Sequence, residues 1–529
     1  MKKISSVSLS IISGLLLAVA WPDAGLTPLI FVAWIPILFL AEQEKKRFRF
    51  FLFALLSMLI WNTGTTWWIW NSTGPGAVSA IVANSFLMCI PLLGFYTFKR
   101  KYGNKISYLS LIVFWLSFEY IHLNWQLSWP WLTLGNVFAT HTSWIQWYEF
   151  TGTSGGSLWV LSANLVIFLL LKLRKTSPRI SSVIITMAVL FLPLAVSYLV
   201  HPKNSIVAAT NNVIIVQPNI DPYTEKYDSA STKVQIKKLI TLSEKNIDTL
   251  TRLVLWPETA LPVSVLQSQF QLSSDYSIVF DFIKRHPQMT LQTGIETYLN
   301  YGTVKATKTA RKSEPGGFYY DAFNSAVSVT AGEPIQFYNK SKLVPGVESL
   351  PDFLLWMGPI FEKFGGTAGG YGHDKNAIAF ATAGNPYITA PIICYESIYG
   401  EYVTQYVQKG ANLLTIMTDD AWWGNTPGYR QHLDYARLRA IETRKWVARS
   451  ANTGISAVIN SNGDVVGKTG WDEATFIKYS IPAIIGETFF VRHGPLFYDL
   501  AVLLMCVLLI YHLVVIVKKR FGRAGEGIY

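Results

Sequence analysis

The chain has 529 residues, of which 50% are hydrophobic, 14% aromatic and only 15% charged. That balance excludes an ordinary soluble protein and points to a polytopic membrane protein. The net charge of +12 does not indicate nucleic acid, because much of it sits in short loops between apolar runs and no zinc-finger or RNA-binding spacing accompanies it.

Apolar runs occupy residues 7–20, 26–40, 48–70, 78–98, 106–123, 158–171 and 180–200, and a last run occupies 500–517. Spanning about 30 Å of hydrocarbon takes roughly 20 helical residues, so the longer runs qualify outright. The first two and the sixth need their flanks or a thin bilayer. Eight spans are expected. Lys2 and Lys3 precede the first run, and clusters at Lys45–Arg49, Lys99–Lys105, Lys172–Arg179 and Lys518–Arg523 follow every second one. The alternate loops, 21–25, 71–76 and 124–157, contain no Lys or Arg at all. This is the positive-inside pattern, and it predicts cytoplasmic termini with the segment after His201 outside. Met1-Lys2-Lys3 and Ala18-Val19-Ala20 also resemble a cleavable signal. A retained anchor is the reading adopted, since another span follows within a few residues.

Between residues 211 and 484 the pattern changes to short strand-like runs. Core strands are expected at 212–216, 252–256, 326–329, 388–394 and 413–417, an amphipathic helix at 432–447, and a hairpin over 456–467 around Asn462-Gly463. The expected organisation is a seven-helix membrane region (1–205), an exocytoplasmic α/β domain (206–490), and a terminal helix with a basic tail (491–529). Gly365–Gly370 lacks the Lys-Ser/Thr ending of a phosphate loop and reads as a mobile loop near a substrate entrance. The eight histidines are scattered, and no His-Glu-x-x-His or Cys-x2-Cys pair exists, so neither a metal nor another cofactor is expected.

Three strand ends carry chemistry. Glu258 follows Leu255-Trp256-Pro257; alone, it could equally cap a following helix. Lys340 lies in Tyr338-Asn339-Lys340, where an isolated lysine would ordinarily be solvated. Cys394 ends Ile392-Ile393 and precedes Tyr395-Glu396-Ser397. It is one of three cysteines, and Cys89 and Cys506 lie in apolar runs, so a free thiol outside the membrane stands out.

In the order Glu, Lys, Cys, spaced by about 80 and 50 residues, the trio resembles the catalytic set of the nitrilase (carbon–nitrogen hydrolase) superfamily. Trp256-Pro257-Glu258-Thr259-Ala260, Asp420-Ala421-Trp422-Trp423-Gly424, Arg437-Leu438-Arg439-Ala440-Ile441-Glu442, Pro130-Trp131-Leu132 and Glu149-Phe150-Thr151-Gly152 narrow the resemblance to the apolipoprotein N-acyltransferases. It implies a helical membrane bundle plus an α-β-β-α sandwich, in a bacterial inner membrane with the domain facing the periplasm. It also implies Glu258 as base, Lys340 facing the oxyanion, Cys394 as nucleophile, and Glu348, Tyr395 and Glu396 in support. The implied partners are a phospholipid acyl donor, a diacylglyceryl-cysteine apolipoprotein acceptor and the bilayer, with no nucleic acid. A tethered amidase acting on small amides, or a non-catalytic lipoprotein-binding module, are the alternatives. Val344-Pro345-Gly346-Val347-Glu348 departs from the family's Val-Pro-Phe-Gly-Glu, and Tyr227 stands where the family commonly has a tryptophan. Trp125, Trp129, Trp131, Trp144 and Trp147 read as an interfacial aromatic belt.

Overall fold

The computed structural model describes residues 4–173, 180–200, 206–226, 231–314, 316–358 and 370–525. Among these, six helices are long and apolar enough to cross a membrane: Arg47–Asn71, Gly74–Lys101, Gly103–Leu123, Thr153–Lys172, Ile180–Leu199 and Phe489–Lys519. The sequence predicts eight. The first run forms Ser6–Val19, 14 residues, and therefore only about 21 Å long. The second is broken into the short helices Thr27–Phe31 and Ile35–Gln43, with Pro28 and Pro36 in their first turns.

The rest of the chain forms two sheets. Strands β1 (Ile206–Gln217), β2 (Thr251–Leu255), β3 (Leu261–Leu266), β4 (Thr290–Asn300), β5 (Arg311–Lys312), β6 (Tyr319–Thr330), β7 (Gln336–Asn339) and the late β14 (Thr475–Ile485) make the first. The second contains β8 (Phe380–Ala381), β9 (Ile388–Ile393), β10 (Leu413–Thr418), β11 (Trp446–Ala451), β12 (Ala457–Ile459) and β13 (Val465–Lys468). The central strands are buried on both faces, which explains their continuous apolar runs. Val213 and Ile215 of β1 join the cluster between the sheets, with Ile392, Ile416 and Val447. Ile214 and Val216 point the other way, onto helices Thr232–Glu244 and Ser277–Arg285. Helices Gly400–Gln408 and Pro427–Thr443 cover the second sheet through Val403, Tyr406, Leu433 and Ala436. The result is a helix–sheet–sheet–helix sandwich attached to a membrane bundle.

Two expected boundaries shift. The helix predicted over 432–447 starts earlier and ends at Thr443, because Arg444 adopts a left-handed backbone (φ 52°) and Trp446 and Val447 open β11. Strand β6 starts seven residues before the predicted Ala326, and that extension contributes to the site. The Asn462-Gly463 hairpin forms as expected, joining β12 and β13. Tyr227 and most of the Gly365–Gly370 loop lie outside the described residues.

The three loops free of Lys and Arg dock on the sandwich. Trp21 Nε1 donates to Tyr435 Oη (2.9 Å), Asn71 Nδ2 to the Trp423 carbonyl (2.8 Å), and Trp131 Nε1 to Gln431 Oε1 (2.7 Å). Arg444 grips the third loop, donating to Glu149 Oε2 (2.6 Å) and Gln146 Oε1 (2.6 Å).

Candidate active site

Parallel strands present their C-terminal ends on one edge, and loops leaving that edge meet. In the first sheet, β1, β2 and β4 run parallel; in the second, β9, β10 and β11 do. Glu258 leaves β2, Cys394 leaves β9, and Asp419 and Asp420 leave β10. No helix follows Glu258, so it caps none; Thr259 turns with φ 46° straight into β3. Cys394 itself has φ 49°. For a residue with a Cβ this costs on the order of 1–3 kcal/mol, and it turns the chain abruptly from strand into the short helix Cys394–Ile398.

Lys340, 1% exposed, extends from the end of β7 between two carboxylates. Its Nζ lies 2.8 Å from Glu348 Oε1 and 3.4 Å from Glu258 Oε1. Burial alone would discharge it, but Glu348 and then Glu258 outweigh burial and hold the ammonium well above its usual pKa. The cysteine is the reverse case. Burial pushes the Cys394 thiol well up, Glu258 pushes the same way, and Lys340 opposes both. Cys394 therefore rests as a thiol, and only with a base beside it could its sulfur act as a nucleophile.

Glu258 is held from three sides. Asn324 Nδ2 donates to Oε1 (2.8 Å), the Asp419 N–H to Oε2 (3.1 Å), and Lys226 Nζ to its carbonyl (3.3 Å). Lys226 is also paired with Asp419 (2.6 Å). The two supporting glutamates divide their work. Glu348 touches Lys340 directly and accepts from the Val344 N–H (2.8 Å), which closes the turn between them. Glu396, expected in support of the trio, makes its contacts to the framework. It accepts from Tyr338 Oη (2.6 Å), the N–H groups of Ser341 (2.7 Å) and Lys342 (3.2 Å), and the Ile393 N–H (2.9 Å). One carboxylate thus ties the lysine turn to the cysteine turn. Tyr395 Oη donates to the Ser128 carbonyl (2.9 Å), and its ring stacks on Trp129 at 6.0 Å, joining the elbow to the membrane loop.

The altered Val344–Glu348 stretch keeps its carboxylate in place because Gly346 takes φ 82° and its N–H reaches the Ser349 carbonyl (2.7 Å). That turn forms one wall of a cavity of about 470 Å³. Ile69, Ala80 and Leu87 from the membrane side form much of the other wall, with Trp129 between. The turn that leads into Glu348 therefore also lines an apolar space shared with the bundle.

A model of the carbon-nitrogen hydrolase family matches residues 212–488, just over half of the chain. The chain belongs to that family. Its membrane part matches a second model, the apolipoprotein N-acyltransferase N-terminal domain, over residues 13–166. Apolipoprotein N-acyltransferase of Chlorobaculum tepidum is 29% identical over 504 residues, covering 92% of this chain and 93% of the relative. That of Thermotoga maritima is 25% identical over 544 residues, covering 99% and 96%. Among solved structures, Saccharomyces cerevisiae Nit3, of the nitrilase superfamily, covers 53% of this chain and 93% of that one at TM-score 0.38 and 15% identity.

Several residues with a part in the site carry no sequence signal of their own. Asn324 bridges Glu258 and Glu348 (3.2 Å to the latter) from the unpredicted start of β6; extending that strand in sequence would have reached it. Behind Cys394, His432 Nε2 lies 3.2 Å from the Cys394 carbonyl and 2.9 Å from Ser397 Oγ, while its Nδ1 faces Asp420 Oδ1 (3.0 Å). Arg449 closes the group on Asp420 Oδ2 (2.6 Å).

Proposed function

We propose that this chain is a membrane-embedded N-acyltransferase of lipoprotein maturation that works through a thioester on Cys394. The observation that carries the reading is the buried ammonium of Lys340, clamped by Glu258 and Glu348, with the turn between Lys340 and Glu348 lining an apolar cavity against the membrane helices.

Glu258 takes the thiol proton as Cys394 Sγ attacks a phospholipid ester carbonyl. Lys340 and backbone N–H groups face the oxygen that becomes negative, in a site with little water to screen them. The C–O bond then breaks, the lysophospholipid alkoxide takes the proton from Glu258, and the acyl group stays on sulfur. In the second half the α-amine of a diacylglyceryl-cysteine attacks the thioester. Glu258 accepts the amine proton and returns it to the departing thiolate. Both substrates are two-tailed lipids that stay in the bilayer, since each CH₂ drawn into water would cost about 0.8 kcal/mol. Attaching the sandwich to a membrane bundle brings the thiol to them. The charge pattern supports an outward-facing sandwich in an inner membrane with both termini in the cytoplasm, because the loops that dock on the sandwich are the ones without Lys or Arg.

Intact-mass spectrometry tests the chemistry. The protein incubated with phospholipid alone should gain one acyl chain, which neutral hydroxylamine removes and which Cys394→Ala never acquires. A diacylglyceryl-cysteine peptide should discharge it onto its α-amine. Productive transfer with no acyl-Cys394 at any time on rapid quenching would overturn the thioester route.

A further inference from the structure

A second apolar cavity, of about 330 Å³, lies among three membrane helices. Ile90 of Gly74–Lys101, Phe114 of Gly103–Leu123 and Leu509 of the C-terminal helix Leu496–Gly525 line it. It shares two residues, Leu87 and His122, with the cavity that reaches the Lys340–Glu348 turn. The two spaces therefore meet at one place and diverge from it. From His122 to Phe114 the second runs eight residues down its helix, roughly 12 Å.

His122, which lines both, is held by hydrogen bonds. Trp125 Nε1 donates to His122 Nδ1 (2.9 Å), and His122 Nε2 faces the backbone carbonyl and N–H of Trp129 (3.1 and 3.2 Å). Both ring nitrogens thus have partners that hold the imidazole in this orientation. Two apolar spaces that share His122 and Leu87 match the branching of a two-tailed lipid, one chain in each.

We propose that the second cavity holds the fatty acyl chain of the donor that is not transferred, while the chain destined for Cys394 occupies the first. This rests on the acyl transfer proposed above. A tail moving from bilayer into the groove gains almost no hydrophobic free energy, because lipid is as apolar as the groove. The cavity acts instead by shape. It fixes the lipid's position so that the ester of the other chain lies at the thiol. A single-tailed donor has nothing to place there, so filling the cavity should be invisible to it.

The experiment measures the rate of acyl-Cys394 formation on the full-length protein in detergent micelles. The donors are dipalmitoyl phosphatidylethanolamine and its single-tailed lysophospholipid. Leu509→Trp and Ile90→Trp fill the cavity; Leu503→Trp, on the same terminal helix but outside the cavity's lining, is the control. Expected is a fall in kcat/KM on the order of tenfold for the diacyl donor, as misplacement of a reacting group gives. The lyso donor should stay within twofold, and Leu503→Trp should change neither. A melting curve for each variant separates misfolding from this effect. Equal slowing of both donors, or no slowing of either, would show that the groove takes bulk bilayer lipid only and overturn the proposal. If the unaltered protein forms no adduct with either donor, the acyl-transfer reading fails instead, and the two failures are told apart.

Discussion

The rim of the sandwich, where Glu258, Lys340 and Cys394 sit, and the seam, where the sandwich meets the membrane loops, are both buried, yet different forces hold them. The rim is built from charge: Lys340, Glu348, Glu396, Asp419 and Asp420 are all at most 9% exposed. The seam is built mainly from aromatic surface. Trp68 packs on Trp131 and Trp423 with ring centroids 4.8 Å apart, and Trp131 on Tyr435 at 5.3 Å. A buried charge is stable only in one arrangement of partners, so the rim fixes atoms. Aromatic contacts tolerate small shifts, so the seam sets the position of a whole domain. Replacing a rim residue should therefore change chemistry and stability together, whereas a seam residue should change stability alone.

The largest break of that contrast is Lys340→Met, which leaves Glu258 and Glu348 facing each other without a cation. Acyl-Cys394 formation should fall by about 10²–10³, and stability by about 3–5 kcal/mol. Mass spectrometry and denaturant titration check the two, and normal turnover would remove Lys340 from the mechanism. Glu396→Gln keeps the shape but turns an acceptor toward backbone donors as an NH₂. It should lose about 1.5–3 kcal/mol, and acylation should slow by roughly one to two orders of magnitude because both turns it ties together loosen. An unchanged rate would show that the ties are merely structural.

Acid sharpens the comparison at Asp420. Burial would raise its carboxyl, but Arg449 and then His432 outweigh it and bring it from 3.8 to about 2. Because the folded value lies below the unfolded one, the stabilisation is full above about pH 4 and is lost as pH falls through about 2. It amounts to about 2 kcal/mol. Unfolding free energies measured across that window should decline by this amount, and Asp420→Asn should flatten the decline. The smallest effect on the rate is expected at the seam. Arg444→Met removes the hydrogen bonds to Glu149 and Gln146 and should lower stability by about 1.5–3 kcal/mol, with acylation within twofold. A proportional loss of rate would mean that the seam, too, positions reacting atoms.

Strands β1, β2, β9 and β10 were legible because strands buried on both faces write continuous apolar runs, and the loops between spans because charge is expensive in hydrocarbon. The first and second apolar runs form shorter helices than the eight-span reading expected, since apolar content is visible in sequence whereas the breaks near Pro22, Pro28 and Pro36 set the length. The helix over 432–447 was overrun for a similar reason. Apolar residues continue past Thr443, but Arg444 reverses the backbone and the same pattern serves a strand.

By itself the sequence determined that this is a membrane protein with one α/β domain, and that Glu258, Lys340 and Cys394 lie at strand ends, because periodicity and turn chemistry are local properties of a chain. Only the tertiary structure decided that two carboxylates share one lysine and that Glu396 ties backbone turns together. It alone placed Asn324, Lys226 and His432 beside the site. Those relations join residues up to 193 positions apart, as in Lys226–Asp419. They exist only once two sheets present the C-terminal ends of their parallel strands at one rim.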